Sequence, residues 1–261
     1  MGTFSNYLEN KILDHLLKNT AYTPPSAIYI GLSTADPLDD GSGMAEPSGK
    51  GYARVEIPNW DTASSRGTQN EELFTFPETR GSWGDLTHFA LFDALTSGNM
   101  LAHGALTTTR SPVNGDSIFF KPGTVDVIIP AGGLSTVYAN KILDHIFGNT
   151  TLTQLSNIFV ALATAVILDS DTGSTITEPA DGYARVAHIT WDAAASGASE
   201  NTGTITFVNA TSDWTDPTHF ALVDAGTAGD IILHAALDAT VIIGNGDNAH
   251  WADGTLDITL G

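Results

Sequence analysis

What most constrains this chain is that it is written twice. Tyr7-Leu8-Glu9-Asn10-Lys11-Ile12-Leu13-Asp14-His15 returns as Tyr138-Ala139-Asn140-Lys141-Ile142-Leu143-Asp144-His145, and Asn19-Thr20 returns as Asn149-Thr150, an offset of 130. Gly51-Tyr52-Ala53-Arg54-Val55 returns as Gly182-Tyr183-Ala184-Arg185-Val186, an offset of 131. At that offset Trp60 matches Trp191, Trp83 matches Trp214, and Thr87-His88-Phe89-Ala90-Leu91 matches Thr218-His219-Phe220-Ala221-Leu222. Asp93, His103 and Gly115-Asp116 recur as Asp224, His234 and Gly246-Asp247. A near-constant offset over this span is the mark of tandem duplication. Each copy has the length of an ordinary domain. The expected domains are therefore residues 1–131 and 134–261, with the break at Pro130-Ala131-Gly132-Gly133. So short a linker forbids free swinging and puts the copies side by side.

Within each copy the hydrophobic period changes once. Leu8, Ile12, Leu13, Leu16 and Leu17 fall on one helical stripe, with Ser5 and Asn6 as N-cap candidates and Asn19 or Gly148 as helix stops. After the helix come short β-prone runs at 27–32, 53–57, 73–76, 87–92, 100–106, 117–120 and 124–129. They recur at 158–162, 184–189, 204–208, 218–223, 231–237 and 255–260. Runs spaced by Gly, Asp, Ser and Pro turns imply a mainly β chain. The expected architecture is two tandem β-sandwich or small-barrel domains, each opened by an N-terminal α-helix.

Charge narrows the partners. The formal net charge is −20. The first copy carries 8 Lys+Arg against 15 Asp+Glu, net −7, and the second 2 against 15, net −13. Such a surface repels phosphate backbones and anionic lipid, so no nucleic-acid partner is expected. The acids are scattered, which excludes an acidic tail. There are no cysteines, hence no disulfide and no thiolate metal or redox site. Met1 to Lys18 lack a basic start followed by a long apolar run, and no apolar stretch is long enough to span a bilayer, so neither a signal peptide nor membrane insertion is expected.

Candidate chemistry competes with plain structure at several positions. His88, Asp93 and His103 could gather a metal, yet their spacing matches no compact signature, and His88 alternates with apolar neighbours as a half-buried strand residue would. The acidic loops Asp36-Pro37-Leu38-Asp39-Asp40-Gly41 and Asp169-Ser170-Asp171-Thr172-Gly173 suit calcium by composition, but neither follows the EF-hand pattern, and ordinary turns explain them. No nucleophile elbow, Walker loop or dinucleotide fingerprint is present, and Ser42-Gly43 and Ser196-Gly197 read as turns. Glu71-Glu72 would point to opposite faces of a strand. Trp60, Trp191, Trp83 and Trp214 read as core anchors; exposed, they would offer faces for sugars. Arg54 and Arg185 are expected to pair with a carboxylate such as Asp93 or Asp224. No catalytic, cofactor-binding or metal-ligating residue and no cofactor is assigned.

Residues 7–15 above, with Ile28-Tyr29-Ile30-Gly31-Leu32-Ser33-Thr34-Ala35-Asp36-Pro37, Glu46-Pro47-Ser48-Gly49-Lys50-Gly51-Tyr52-Ala53-Arg54-Val55 and Thr87-His88-Phe89-Ala90-Leu91-Phe92-Asp93-Ala94, resemble tailed-phage virion proteins of the tail-fibre-like or decoration type. The resemblance covers most of residues 5–129 and, more loosely, 135–261, where the Gly-Leu-Ser-Thr-Ala-Asp form is lost after Ile158. It implies a non-enzymatic structural component exposed on the virion, assembled in the bacterial host cytoplasm. The role would be capsid decoration or cement, or a tail or collar fibre; a carbohydrate-binding adhesin is the alternative. Partners would be major capsid or tail proteins and other copies of the chain. The more basic first copy is expected to dock and the second to face solvent.

Overall fold

The computed structural model describes residues 2–17, 20–148, 150–180 and 182–260. The first repeat runs β1 (Thr3–Phe4), α1 (Asn6–Leu17), β2 (Ile28–Ser33), β3 (Val55–Ile57), β4 (Gly67–Gln69), β5 (Phe74–Thr75), β6 (Leu86–Phe92), β7 (Met100–Arg110), β8 (Phe119–Phe120) and β9 (Asp126–Ile128). The second runs α2 (Thr136–Phe147), β10 (Phe159–Ala163), β11 (Val186–Ala187), β12 (Ala198–Glu200), β13 (Ile205–Thr206), β14 (His219–Val223), β15 (Ile231–Ala236), β16 (His250–Trp251) and β17 (Asp257–Thr259). The chain is thus mainly β, in two tandem units, the second opened by its helix and the first by a helix that follows the two-residue strand β1.

Both helices start where a hydroxyl can satisfy an orphan N–H. Ser5 Oγ accepts from Leu8 N at 3.3 Å and Ser135 Oγ from Tyr138 N at 3.2 Å. Asn6 is already helical, so Ser5 is the cap. This pairs Tyr138 with Leu8 rather than with Tyr7, one residue off the match by identity. Gly148 closes α2, its N–H donating to Asp144 O. Asn19 and Asn149 lie outside the described residues. The predicted stripe is buried: Leu8, Ile12, Leu13, Leu16 and Leu17 are each at most 2% exposed. Burying five such side chains is worth on the order of 10 kcal/mol before chain entropy is subtracted.

The main sheet of the first repeat has the order β1-β7-β6-β2-β3, and that of the second β11-β10-β14-β15. In place of β1 the second repeat has a single bridge, Leu134 to Leu233. Two short ladders, β4-β9 and β5-β8, pack on the first sheet; β12-β17 and β13-β16 repeat them in the second. Strand alternation sends Ile28, Ile30, Leu32, Phe89 and Leu91 into the main core. Ala90 and Phe92 face the other way, under Met44 and Met100. Ala161, Ala163, Ala221 and Val223 do the same in the second repeat, under Ile167 and Ile231.

Strands β1, β4, β12 and β16 were not expected from sequence. Gly67-Thr68-Gln69 and Ala198-Ser199-Glu200 have little intrinsic strand preference and are held by pairing with β9 and β17. A repeated asparagine supports them. Asn70 is fully buried; its Nδ2 donates to Glu72 O and Lys121 O, and its Oδ1 accepts from Thr124 N and Val125 N. Asn201 makes the same four bonds, to Gly203 O, Ala252 O, Thr255 N and Leu256 N. Glu71 and Glu72 lie outside any strand, in a bend between β4 and β5, both exposed.

Candidate functional site

The main apolar core is continuous through both repeats. The reason lies in the polar residues of the repeated helix. Asn10 and Asp14 are four apart and so share a helix face. On that face Asp14 Oδ1 accepts from Ala194 N at 3.0 Å and Asn10 Oδ1 from Gly197 N at 2.9 Å, both in the second repeat. Reciprocally, Asp144 Oδ1 accepts from Ala63 N at 2.7 Å and Asn140 Oδ1 from Arg66 N at 2.9 Å, both in the first. Each helix therefore docks on the hairpin of the other copy. Trp60 follows the same logic, its ring 4.6 Å from that of Phe147 on α2.

The exchange has a local two-fold axis, and two histidines meet on it. The rings of His15 and His145 lie 5.1 Å apart. His15 Nδ1 accepts from Tyr22 N, and His145 Nδ1 from Leu152 N, both at 3.1 Å. The opposite nitrogens cross over, His15 Nε2 to Leu152 O at 3.1 Å and His145 Nε2 to Tyr22 O at 3.2 Å. Accepting at Nδ1 and donating at Nε2, the His15 imidazole is neutral. Burial, together with His145, pushes the His15 pKa down.

The docked hairpins turn through two residues in the left-handed region, Ser65 (φ 50) and Arg66 (φ 70), and Ser196 (φ 51) and Gly197 (φ 73). Two-residue loops with both φ positive match the twist of a hairpin. Arg66 is the costly case, an arginine in this region. It is 8% exposed and holds the linker: Nε donates to Ile129 O at 3.1 Å, Nη1 to Leu134 O at 2.6 Å and Nη2 to Pro130 O. Nη1 also lies 3.2 Å from Asp169 Oδ2. The linker is thus clamped as well as short.

His88, Asp93 and His103 do not converge. His88 Nδ1 meets Thr87 Oγ1 at 2.9 Å; Asp93 accepts from the backbone and side-chain nitrogens of Asn99; His103 Nε2 lies 2.8 Å from Asp39 Oδ1. Among the described residues no group of three or more His, Asp or Glu has metal-binding geometry. In the acidic loop Asp36 and Asp40 cap their own turns through Leu38 N and Ser42 N. Asp169 binds His234 Nε2 at 3.0 Å, and Asp171 accepts from Leu168 N.

The expected partners of Arg54 and Arg185 are corrected. Arg54 pairs with Glu46, Nε to Oε1 at 3.0 Å and Nη2 to Oε2 at 2.7 Å, while Nη1 donates to Ala94 O and Ser97 O. Arg185 pairs with Glu178 in the same fork, 2.9 Å to each oxygen, with Nη1 on Ala225 O and Ala228 O. Asp93 and Asp224 are spent on capping the turns whose carbonyls these arginines bind. The signal for the true partner was in the sequence: Glu46-Pro47 and Glu178-Pro179 recur ahead of the two Tyr-Ala-Arg runs. Trp60, Trp83, Trp191 and Trp214 are all buried, so their ring faces serve the core. Among the described residues no helix is long and apolar enough to cross a membrane.

The chain is thus a duplicated β module closed on itself by helix exchange and built around core and capping residues. Residues 3–128 and 133–259 each match one family model, described as Podophage GP4 fiber I protein gp80. The chain belongs to this phage fibre-protein family, in tandem duplicate. No curated protein matches it.

Proposed function

We propose that the chain is a non-catalytic fibre-type component exposed on the phage particle, working as a rigid block whose first repeat docks on other virion proteins while the second faces solvent. The observation that carries this reading is the reciprocal seating of α1 and α2, which joins the repeats without a hinge. A block of this kind transmits position rather than changing shape. The charge asymmetry supplies the polarity, net −7 in the first repeat and −13 in the second. The less acidic repeat approaches an acidic particle surface at smaller electrostatic cost. The match to a fibre protein favours a tail or collar place over a capsid decoration or cement role.

The test is to load the recombinant chain onto particles lacking it and image them. Density for residues 1–131 against the particle, with residues 134–261 outward, is expected. A particle map in which residues 134–261 form the main docking surface overturns the polarity, and binding confined to the capsid lattice overturns the fibre assignment.

A further inference from the structure

The two-fold relation between the repeats is broken at Arg66, and the break leaves a cavity with a known complement. On one side of the axis Arg66 fills its seat: carbonyls of Ile129, Pro130 and Leu134, and the carboxylate of Asp169, which His234 holds from behind. Asp169, Ile129 and Leu134 of that seat each have a mate on the other side. Asp39 takes the place of Asp169 and is held by His103 at 2.8 Å. Leu260 stands for Ile129, since Leu260 N donates to Gly197 O as Ile129 N donates to Arg66 O. Phe4 stands for Leu134, pairing with Ala102 as Leu134 bridges Leu233. The arginine itself has no mate: its position is Gly197, with the same backbone (φ 73 against 70) and the same bond to an opposite asparagine.

A cavity of about 370 Å3 lies there, lined by Phe4, Glu9, Asp39, Pro130, Leu134 and Leu260 among others. Glu9 replaces the buried Ala139 of the filled seat. It is only 9% exposed, and among the described residues no hydrogen bond or ion pair engages its carboxylate. Burial, with Asp39 nearby, pushes its carboxyl up to about 7. The side chain of Asp39 is 63% exposed where that of Asp169, under its guanidinium, is 19% exposed. Among the described residues the open seat therefore holds the carboxylates of Glu9 and Asp39 between apolar walls, the backbone oxygen of Leu260 beside Gly197, and no cation. Planar guanidinium is the group that satisfies such a set, as Arg66 does across the axis.

We propose that the cavity at Glu9 and Asp39 is a socket for the guanidinium of an exposed arginine on a neighbouring virion protein. That the donor is a virion protein rests on the function proposed above; the socket does not, and its chemistry can be read with small probes. Methylguanidinium and the capped peptide acetyl-Gly-Arg-Gly-amide, titrated into the full chain, should bind saturably and shift the carboxylate carbon resonances of Glu9 and Asp39. Methylammonium and acetyl-Gly-Lys-Gly-amide should bind at least about tenfold more weakly, because they lack the planar fork.

In Gly197→Arg alone the new Cβ would meet Glu9 Oε2 at 2.7 Å, so the Glu9 side chain must move aside, and Leu260 O at 3.0 Å. Glu9→Ala with Gly197→Arg recreates the filled seat; this pair should raise the Tm and abolish probe binding. Glu9→Gln and Asp39→Asn keep the shape and should each weaken methylguanidinium at least about tenfold. Equal affinity for the arginine and lysine probes, absence of saturable binding, or binding that survives in the Glu9→Ala/Gly197→Arg chain overturns the socket. On particles, the same double variant should load poorly. Equal loading overturns the arginine donor, whereas failure of the unaltered chain to load refutes the proposed function and leaves the socket to its probes.

Discussion

Replacing Asp144 by alanine tests whether the repeats are one folding unit. Asp144 belongs to the second repeat, but its carboxylate accepts the N–H of Ala63 in the first at 2.7 Å. Ala63 is 8% exposed, so water cannot easily take over the bond. A hydrogen bond to a charged acceptor contributes about 1.5–3 kcal/mol, and a stranded buried N–H costs a similar amount. Taking about 2 kcal/mol, the Tm of a chain this size should fall by about 4–8 °C. Scanning calorimetry should show one heat-absorption peak that moves as a whole, because the core beneath the bond is continuous through both repeats. Asp14→Ala, which strands Ala194 N in the opposite sense, should shift the same single peak. Two resolved peaks, only one of them displaced, would refute the argument, since they would mean that the repeats melt independently despite their exchanged helices.

Arg185→Met should destabilise the chain by about 3–5 kcal/mol, because Glu178 is left charged and largely enclosed; adding Glu178→Gln should restore part of the urea midpoint, and no recovery would argue against the pair. Asn201→Ala should cost at least about 2 kcal/mol, since two carbonyls and two N–H groups lose their partner; an unchanged urea midpoint would show that water replaces the side chain. Two groups at the junction set opposite pH slopes. His15 has a folded pKa below its unfolded value near 6.5, so its contribution is complete above that value and is lost as pH falls through the folded pKa. Glu9, raised to about 7, stabilises more as pH falls from 7 towards 4.5. Between pH 7.5 and 5 the Tm of His15→Gln should therefore respond more favourably to acid than the unaltered chain, and that of Glu9→Gln less favourably. Parallel Tm–pH curves for all three would contradict both assignments.

Much of the fold was legible because its signals are local. The stripe from Leu8 to Leu17 specifies a helix with one buried face, and Ser5 and Ser135 stand where a cap belongs. The hydrophobic runs locate the sheet strands within a few residues. Strands β4 and β12 were invisible because Gly67 and Ala198 carry no β signal; their partners lie some sixty residues away in sequence. The junction was half legible. Periodicity says that a helix face is buried, but not against which copy. The recurrence of Asn10 and Asp14 as Asn140 and Asp144, polar residues kept on a buried helix, was the available clue. Arg66 and Gly197 left no clue in the repeat itself, because what matters there is their difference. That difference acquires meaning only once the axis relating the two halves is known.

The clamped linker has an evolutionary corollary. In a dimer of separate identical chains every substitution appears twice about the axis, so a lone arginine facing a glycine could not arise without also changing its mate. Tethering two copies through four residues holds each at a high effective concentration beside the other. Mismatched halves then find one another without competing against matched pairs. The fusion turns a symmetric interface into one on which two genetic addresses can drift apart, and a single cation can be kept on one side while its counterpart is given away.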